Sequence, residues 1–289
     1  MTRIFALAAR EITALMPLEL EADITRAEVV VLAPRYGAEL RELLPGARAL
    51  QWVHCLGAGV ETLPLDDLAR RGIRVTNGAG LYGDALAEFA IAAMLWFAKD
   101  LRRLDRNQSA RRWEPFYVER LEGKSVGIIG MGGIGRAVAR RAEAFGMTVR
   151  GATSSSAVDL VDELIATSDH LVLSTPLTAE TRGLLSRERL RRMPDHAVLI
   201  NVSRGAVVDE GALIEELGRI RGAALDVFET EPLPADSPLW GLGNVLVSPH
   251  SADRTRDSME RAVAFFLGNL ERYRGGEPLE NVVEPAAGY

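Results

Sequence analysis

The strongest constraint on the fold is a glycine-rich turn between an apolar run and a helical pattern. Residues 123–146 read GKSVGIIGMGGIGRAVARRAEAFG. The apolar residues 126–129 lead into Gly130, Gly132 and Gly135 at G-x-G-x-x-G spacing, and small apolar residues then recur at helical intervals. Such glycines allow a tight turn, close approach of a pyrophosphate to the backbone, and close packing of helix on strand. The pattern predicts a strand–turn–helix unit that binds a dinucleotide.

Short runs rich in Val, Ile and Leu alternate with longer amphipathic stretches along nearly the whole chain. This alternation is typical of strands joined by crossover helices and predicts an α/β fold. The later runs are continuously apolar, which indicates a parallel sheet covered by helices on both faces. Ten strands are predicted, at residues 3–8, 28–32, 49–55, 73–76, 125–129, 148–151, 170–174, 198–202, 222–227 and 245–248.

Two helical patterns divide the chain. Residues 84–111 begin apolar and end charged, and we predict one connecting helix there. Residues 254–274 form a second pattern that would return the chain to its first part. We therefore predict two lobes: a Rossmann-type doubly wound parallel sheet over residues 85–253, and a smaller, discontinuous α/β lobe made of residues 1–84 and 254–289.

Composition excludes several classes of partner. The chain has 34 basic and 40 acidic residues, a net charge of −6, so it lacks the overall positive field that attracts nucleic acid. The longest apolar run, residues 89–98, is about half as long as a membrane-spanning helix. Cys55 is the only cysteine, which excludes an internal disulfide and favours a reducing, cytoplasmic setting. We expect no nucleic-acid partner, no membrane association and no metal site.

The residues after the strand at 148–151 bear on the choice of dinucleotide. A carboxylate there would hold the ribose 2′-hydroxyl of NAD and repel the 2′-phosphate of NADP. This chain instead has Thr153 followed by Ser154 and two further serines. The first acidic residue after this strand is Asp159. We predict that NADP(H) is accepted and preferred. The alternative of a polar loop that still binds NAD stays open, because no arginine follows Thr153 to pair with a phosphate.

Three chemically suggestive side chains each follow a predicted strand. They are Arg204, Glu231 and His250. Since the carboxyl ends of parallel strands share one edge, we expect the three to lie close together. An arginine can hold a carboxylate and polarise a neighbouring carbonyl, and a histidine can donate the proton that an alkoxide needs. A carboxylate beside that histidine favours the imidazolium and orients the ring, so the set suits hydride transfer to a 2-oxo acid.

Each of these residues also has a structural alternative. A turn arginine is usually a solvated charge, and an acid before a proline is often an ordinary loop residue. The other histidines show how little a single histidine indicates. We expect His170 and His196 to be structural, and whether His54 faces the cleft stays open.

Five motifs in order resemble one family. They are GKSVGIIGMGGIGRAVA, STPLTAETRGLL, INVSRGAVVDEGAL, GAALDVFETEPL and NVLVSPH. The chain resembles the D-isomer-specific 2-hydroxyacid dehydrogenases, which include phosphoglycerate, glyoxylate/hydroxypyruvate and D-lactate dehydrogenases, over residues 50–283. The resemblance implies an NAD(P)-dependent homodimer that interconverts small 2-oxo and D-2-hydroxy acids, working as a 2-oxo acid reductase in the cleft between its lobes. It also implies that the smaller lobe is a flavodoxin-like α/β substrate lobe.

The resemblance also assigns residues. Arg204, Glu231 and His250 take the family's catalytic roles, and the backbone of Leu56, Gly57, Ala58 and Gly59 binds the substrate carboxylate. Together with the glycine turn, the cofactor-binding set is Gly130, Gly132, Gly133, Ile134, Gly135, Thr153, Ser154, Thr175, Pro176, Val202, Ser203 and Asp226. Only 129 residues precede the turn, fewer than is usual for the family, so substrate specificity does not transfer, and the role of Tyr82 stays open.

Two alternatives remain at this point. The family fold also serves non-catalytic modules that sense the dinucleotide, and these can retain the catalytic set. The family also includes enzymes that act on formate or phosphite. Formate enzymes typically carry glutamine where Glu231 stands, and phosphite enzymes use a lysine in the first lobe, whereas residues 1–98 contain no lysine.

Overall fold

The computed structural model describes residues 2–284, which form two compact units. One unit comprises the chain up to Tyr82 and from Thr255 onward, and the other comprises Gly83–Arg254. The end of the predicted discontinuous lobe, residues 285–289, lies outside the described residues.

Each of the ten predicted strands is present, with ends that differ from the prediction by up to three residues. The strands are β1 (Ile4–Leu7), β2 (Val29–Leu32), β3 (Trp52–Cys55), β4 (Arg74–Asn77), β5 (Ser125–Ile129), β6 (Thr148–Ala152), β7 (His170–Leu173), β8 (Val198–Asn201), β9 (Gly222–Leu225) and β10 (Val245–Val247). The helices are α1 (Arg10–Thr13), α2 (Gly37–Leu43), α3 (Leu65–Arg70), α4 (Gly83–Ala98), α5 (Leu101–Ser109), α6 (Gly133–Ala144), α7 (Val158–Thr167), α8 (Arg187–Arg192), α9 (Glu210–Glu216) and α10 (Ser258–Gly275).

The smaller unit contains a four-stranded parallel sheet in the order β1-β2-β3-β4. Strands β2 and β3 are buried along their whole length, as their continuous apolar sequences predict. Helix α10 covers one face through Phe266, which packs with Trp52 of β3. After α10 the chain pairs with β4, where the Val283 amide donates to the Val75 carbonyl at 2.9 Å. The C-terminal segment is therefore part of the smaller unit.

The larger unit contains a six-stranded parallel sheet in the order β10-β9-β8-β7-β5-β6. The chain starts in the middle at β5, adds β6 on one side, and crosses back to add β7 on the other. This reversal between β5 and β7 is a topological switch point, the place where open α/β sheets bind ligands at the carboxyl ends of their strands. The architecture confirms the predicted Rossmann-type α/β fold.

The single helix predicted over residues 84–111 is wrong. The structure has two helices, α4 and α5, separated by Lys99 and Asp100. Asp100 has left-handed backbone angles (φ 46°, ψ 54°), and its side chain accepts a hydrogen bond from the Arg103 amide, which caps α5. Helix α4 packs on α6 and is largely buried, whereas α5 has no buried residue. The change from apolar to charged sequence therefore marked a break between two helices.

Candidate active site

The glycine turn lies at the switch point, between β5 and α6. Gly130 has a φ of +105°, and a Cβ there would lie 2.6 Å from the Ser174 backbone. A Cβ on Gly135 would lie 2.2 Å from the Gly130 carbonyl oxygen. By contrast, a Cβ on Gly132 would meet no atom within 4 Å. Two glycines are therefore required by the close packing of the turn, and the third leaves its backbone open to a ligand.

Helix α6 begins at Gly133, directly after this open position. The amides of Gly133, Ile134 and Gly135 are in the first turn, where they have no carbonyl acceptor within the helix and carry the positive end of its dipole. Next to the turn, the buried Thr175 hydroxyl has no hydrogen-bond partner among residues 2–284, and Pro176 beside it is exposed. Free amides, an open glycine and an unpaired hydroxyl fit the pyrophosphate and ribose of a dinucleotide.

The loop after β6 is folded by its own hydroxyl groups. The Thr153 amide donates to the Ser156 hydroxyl at 2.9 Å, and the Thr153 and Ser155 hydroxyls lie 2.9 Å apart. Thr153 and Ser154 are exposed. The loop offers hydroxyl groups, without a carboxylate, at the position predicted to read the ribose.

The structure brings together two of the three predicted catalytic side chains. His250 Nδ1 lies 2.7 Å from Glu231 Oε2, although the residues are 19 positions apart in the chain. The other carboxylate oxygen of Glu231 accepts from the Phe228 amide at 3.1 Å, which fixes the carboxylate. Both side chains are partly exposed, at 43% for His250 and 36% for Glu231. A histidine that donates Nδ1–H to a carboxylate keeps Nε2 for proton exchange with a ligand.

Asp226 anchors the loop that carries His250. Its Oδ1 accepts from the Ser248 hydroxyl at 2.5 Å and from the amides of Ser251 and Ala252 at 2.9 and 3.1 Å. Its backbone carbonyl accepts from the His250 amide at 2.9 Å, and His250 itself has a left-handed φ of 50°. Burial raises the pKa of Asp226, and the three hydrogen bonds oppose that rise. The sequence suggested a cofactor contact for Asp226 but gave no sign that it orders this loop.

Arg204 follows β8, in extended backbone with φ −140°. Its guanidinium donates to the Ser203 carbonyl at 2.7 Å. The buried Asn201 shapes the turn. Its side-chain Nδ2 donates to the Arg204 carbonyl at 3.1 Å, and its Oδ1 accepts from the Ser203 backbone amide and hydroxyl. Sequence reasoning missed Asn201, although an asparagine at the end of a buried strand is a signal for such a turn.

The turn after β8, with Val202 and Ser203 buried in it, packs on the segment that leads to Glu231. A Cβ on Gly205 would lie 1.9 Å from the Phe228 carbonyl carbon, so only glycine permits this approach. The loops that carry Arg204, Glu231 and His250 are thus built onto one another at the carboxyl ends of β8, β9 and β10.

The predicted carboxylate-binding loop is in the smaller unit, directly after β3. Leu56 is buried, and Gly57, Ala58 and Gly59 are partly exposed. A Cβ on Gly57 would lie 2.3 Å from the Pro34 ring, so the loop requires glycine there. The loop therefore occupies the carboxyl edge of the four-stranded sheet.

Comparison with known proteins places the chain in a family. Residues 91–252 match the family model described as D-isomer specific 2-hydroxyacid dehydrogenase, NAD binding domain. The chain belongs to this family. A glyoxylate reductase from Korarchaeum cryptofilum is 36% identical, over 84% of this chain and 78% of the relative. A D-3-phosphoglycerate dehydrogenase from Methanocaldococcus jannaschii is 34% identical over 94% of this chain, which spans only 54% of that relative.

Solved structures agree with this assignment. A D-isomer specific 2-hydroxyacid dehydrogenase from Xanthobacter autotrophicus, in complex with NADPH and MES, superposes with a TM-score of 0.82. It is 32% identical and matches 99% of this chain and all of its own.

The remaining histidines of this dehydrogenase are not placed for catalysis. His54 is fully buried in the smaller unit, with its ring beside Phe266, and burial lowers its pKa to about 3. This burial does not support the alternative in which His54 faces a cleft. Burial lowers the pKa of His170 to about 4 at the amino end of β7, and the exposed His196 lies 3.4 Å from Asp169.

Two further findings concern what the described residues lack. Within residues 2–284, no helix is both long and apolar enough to cross a bilayer. In the same range, no group of three or more histidine, cysteine or acidic residues has the geometry of a metal site.

Proposed function

We propose that this dehydrogenase reduces small 2-oxo acids to D-2-hydroxy acids at the carboxyl edge of its six-stranded sheet. The observation that carries the proposal is the 2.7 Å contact between His250 Nδ1 and Glu231 Oε2. The same sheet edge also carries the open glycine turn. A dinucleotide bound in that turn supplies the hydride.

The chemistry of the three side chains is complementary. Arg204 would hold the substrate carboxylate and the carbonyl oxygen, which makes the carbonyl carbon more electrophilic. His250 would give the proton that the product alkoxide needs, from Nε2. Glu231 would stabilise the imidazolium and keep the ring oriented. A dinucleotide-sensing module without catalysis is not favoured, since the relatives are named as a reductase and a dehydrogenase.

The proposed cofactor site extends from the glycine turn along the same edge. The amides of Gly133 and Ile134 would bind the pyrophosphate, Thr175 and Pro176 would lie on the adenosine side, and Asp226 would lie on the nicotinamide side. NADPH is the proposed preference, because Thr153 and Ser154 offer hydroxyls and no anion to its 2′-phosphate. The Xanthobacter autotrophicus structure in complex with NADPH supports a nicotinamide cofactor.

Glyoxylate is the first candidate substrate, because a similar relative is named glyoxylate reductase. The backbone of residues 56–59 would bind its carboxylate. We also propose a cytoplasmic location, which the single, unbridged Cys55 supports.

The proposed oligomer is a homodimer. Trp113 is 96% exposed and Tyr117 is fully exposed, in a segment that follows α5, a helix without a buried residue. Leu101 and Leu104 on α5 are also exposed. Large exposed apolar side chains next to one another are typical of an interface, and this surface is a better candidate than the buried α4.

A substrate panel tests the proposed function. The absorbance of NADPH and of NADH is followed with glyoxylate, hydroxypyruvate, pyruvate and phenylpyruvate. We expect turnover of at least one acid, and its loss in Arg204→Ala and His250→Ala. Full activity in either variant would remove that residue from the mechanism, and no turnover with demonstrated cofactor binding would favour a non-catalytic module.

A further inference from the structure

Each of the four backbone carbonyls in the loop of residues 56–59 accepts a hydrogen bond from a donor in the smaller unit. The four donors come from the ends of β3 and β4 and from the segment that follows β4. They are Tyr82 Oη to Leu56 O at 2.5 Å, the Gly78 amide to Gly57 O at 2.9 Å, Asn77 Nδ2 to Ala58 O at 2.7 Å, and Cys55 Sγ to Gly59 O at 3.5 Å.

This arrangement determines where the loop amides point. In a trans peptide the carbonyl and the following N–H lie on opposite sides of the bond. Binding the carbonyls of Leu56, Gly57 and Ala58 therefore turns the amides of Gly57, Ala58 and Gly59 the other way. Among residues 2–284, none of these three amides has a hydrogen-bond acceptor. Successive free amides of this kind make an anion-binding concavity.

We propose that Tyr82 and Asn77 are positioning residues that aim the first and third of these amides at the substrate carboxylate. The proposal rests on the function proposed above, since it takes the loop to be the carboxylate site. Neither side chain needs to touch the substrate. Each holds one peptide of the loop in the orientation that presents its N–H group.

Asn77 is well suited to this role because its side chain is fixed at both ends. While Nδ2 donates to Ala58 O, Oδ1 accepts from the Ala79 amide at 3.1 Å. Asn77 is only 4% exposed, so these bonds do not compete with water. Asn281 supports the same segment by donating to the carbonyls of Asn77 and Ala79, at 3.2 and 2.8 Å.

Tyr82 holds the peptide between Leu56 and Gly57. The absence of a side chain at Gly78 lets the Tyr82 ring and the Leu56 carbonyl come close together. A Cβ on Gly78 would lie 2.5 Å from the Leu56 carbonyl and 3.2 Å from the Tyr82 ring. Loss of the hydroxyl leaves the peptide between Leu56 and Gly57 without its donor. That peptide can then rotate, and its amide no longer has a fixed direction.

The test measures binding of oxamate, an unreactive carboxylate, by calorimetry in the presence of NADPH, together with kinetics on glyoxylate. The variants are Tyr82→Phe and Asn77→Ala. The matched control is Tyr273→Phe, which also removes one hydroxyl of the same unit, where it donates to Gln51 at 3.0 Å. Urea unfolding of each protein reports any general loss of stability.

We expect Tyr82→Phe to weaken oxamate binding about tenfold and to raise KM for glyoxylate by a similar factor. The KM for NADPH and kcat should change less than threefold or so, and Tyr273→Phe should bind oxamate like the unchanged protein. If Asn77→Ala does not fold, Tyr82→Phe still decides the question. If Tyr82 had only a structural role, Tyr82→Phe would lower stability and would change the KM values for glyoxylate and for NADPH by similar factors.

The outcomes separate the two proposals. Turnover by the unchanged protein, with equal oxamate affinity in Tyr82→Phe, would overturn the positioning role and leave the proposed function intact. Oxamate binding that weakens in the variant, without turnover by any form, would support the positioning role and contradict the proposed function. If the unchanged protein binds no oxamate and turns over no acid, both proposals are wrong.

Discussion

The carboxyl edges of the two sheets carry different kinds of chemical group. At the edge of the six-stranded sheet the reactive groups are side chains, such as the paired His250 and Glu231. At the edge of the four-stranded sheet they are backbone amides, and the side chains of Asn77 and Tyr82 bind the carbonyls behind them. One edge carries groups that are able to exchange protons, and the other carries fixed dipoles that do not titrate near neutral pH.

This difference suits a division of labour. Proton transfer needs a group whose charge changes, and a histidine held by a carboxylate provides one. Carboxylate recognition needs donors that keep their direction, and peptide N–H groups fixed by carbonyl contacts provide them without a side chain to reorganise. Substitutions at the two edges should therefore fail in different ways, the first in kcat and the second in KM for the acid.

The largest effect is expected for His250→Asn. Removal of a general acid typically costs about 10²- to 10⁴-fold, and we expect kcat for 2-oxo acid reduction to fall about 10³-fold. NADPH binding, followed by fluorescence titration, should be unchanged. The control is His196→Asn, which removes an exposed histidine paired only with Asp169. A fall of less than about tenfold would show that His250 is not the proton donor.

The second-largest effect concerns the backbone amides at the carboxyl edge of the four-stranded sheet. Gly57→Ala would place a Cβ 2.3 Å from the Pro34 ring and displace the loop amides. A misplacement of about 1 Å can cost about 10²-fold, so we expect KM for the 2-oxo acid to rise by that order while KM for NADPH stays constant. Gly46→Ala is the matched control, since its Cβ would make only an ordinary 3.5 Å contact with Thr25. Equal effects in both variants would contradict the account.

These two edges also differ in how much the sequence reveals. Arg204, Glu231 and His250 could be selected because each is a reactive residue type that follows a buried apolar run. The glycine turn could be selected because glycines at G-x-G-x-x-G spacing stand between an apolar run and a helical pattern. Both signals are local, so they survive without knowledge of the contacts between distant parts of the chain.

The features that sequence reasoning missed depend on contacts between distant segments or on a weak local signal. The orientation of the loop carbonyls is set by donors from the ends of β3 and β4 and from the segment after β4, which no local pattern records. The break between α4 and α5 depends on the left-handed conformation of Asp100, and asparagine or aspartate at such a site is only a weak signal. The burial of His54 results from the packing of α10 on the smaller sheet.

A smaller effect tests the proposed dinucleotide preference at the carboxyl edge of the six-stranded sheet. Thr153→Asp would place a carboxylate where the 2′-phosphate of NADPH is proposed to bind. Repulsion of roughly 2 kcal/mol corresponds to about a 30-fold shift, in favour of NADH, in the ratio of KM values. Ser186→Asp, on a partly exposed position before α8, serves as the control for added charge. A ratio unaffected by Thr153→Asp would place the phosphate elsewhere.

The smallest effect compares one buried histidine from each unit. Burial lowers the pKa of His54 to about 3 and of His170 to about 4, from an ordinary value of 6.5. The unfolded chain then binds more protons than the folded one, so stability is complete above about pH 6.5 and is lost as the pH falls below it. At one pH unit below 6.5, each histidine should cost about 1.4 kcal/mol.

Urea unfolding at pH 7.5 and pH 5.5 measures this cost. His54→Gln and His170→Gln should each remove about 1.4 kcal/mol of the stability lost between the two pH values. The exposed His196→Gln should leave the loss as it is. An undiminished loss in both buried variants would show that these histidines titrate normally in the folded protein.

The proposed function is the reduction of a 2-oxo acid to the D enantiomer of the 2-hydroxy acid. The most direct measurement incubates the unchanged protein with NADPH and hydroxypyruvate and analyses the product by chiral chromatography. The account predicts glyceric acid in its D form, in an amount equal to the NADPH consumed. Formation of the L form, or consumption of NADPH without a 2-hydroxy acid, would contradict it.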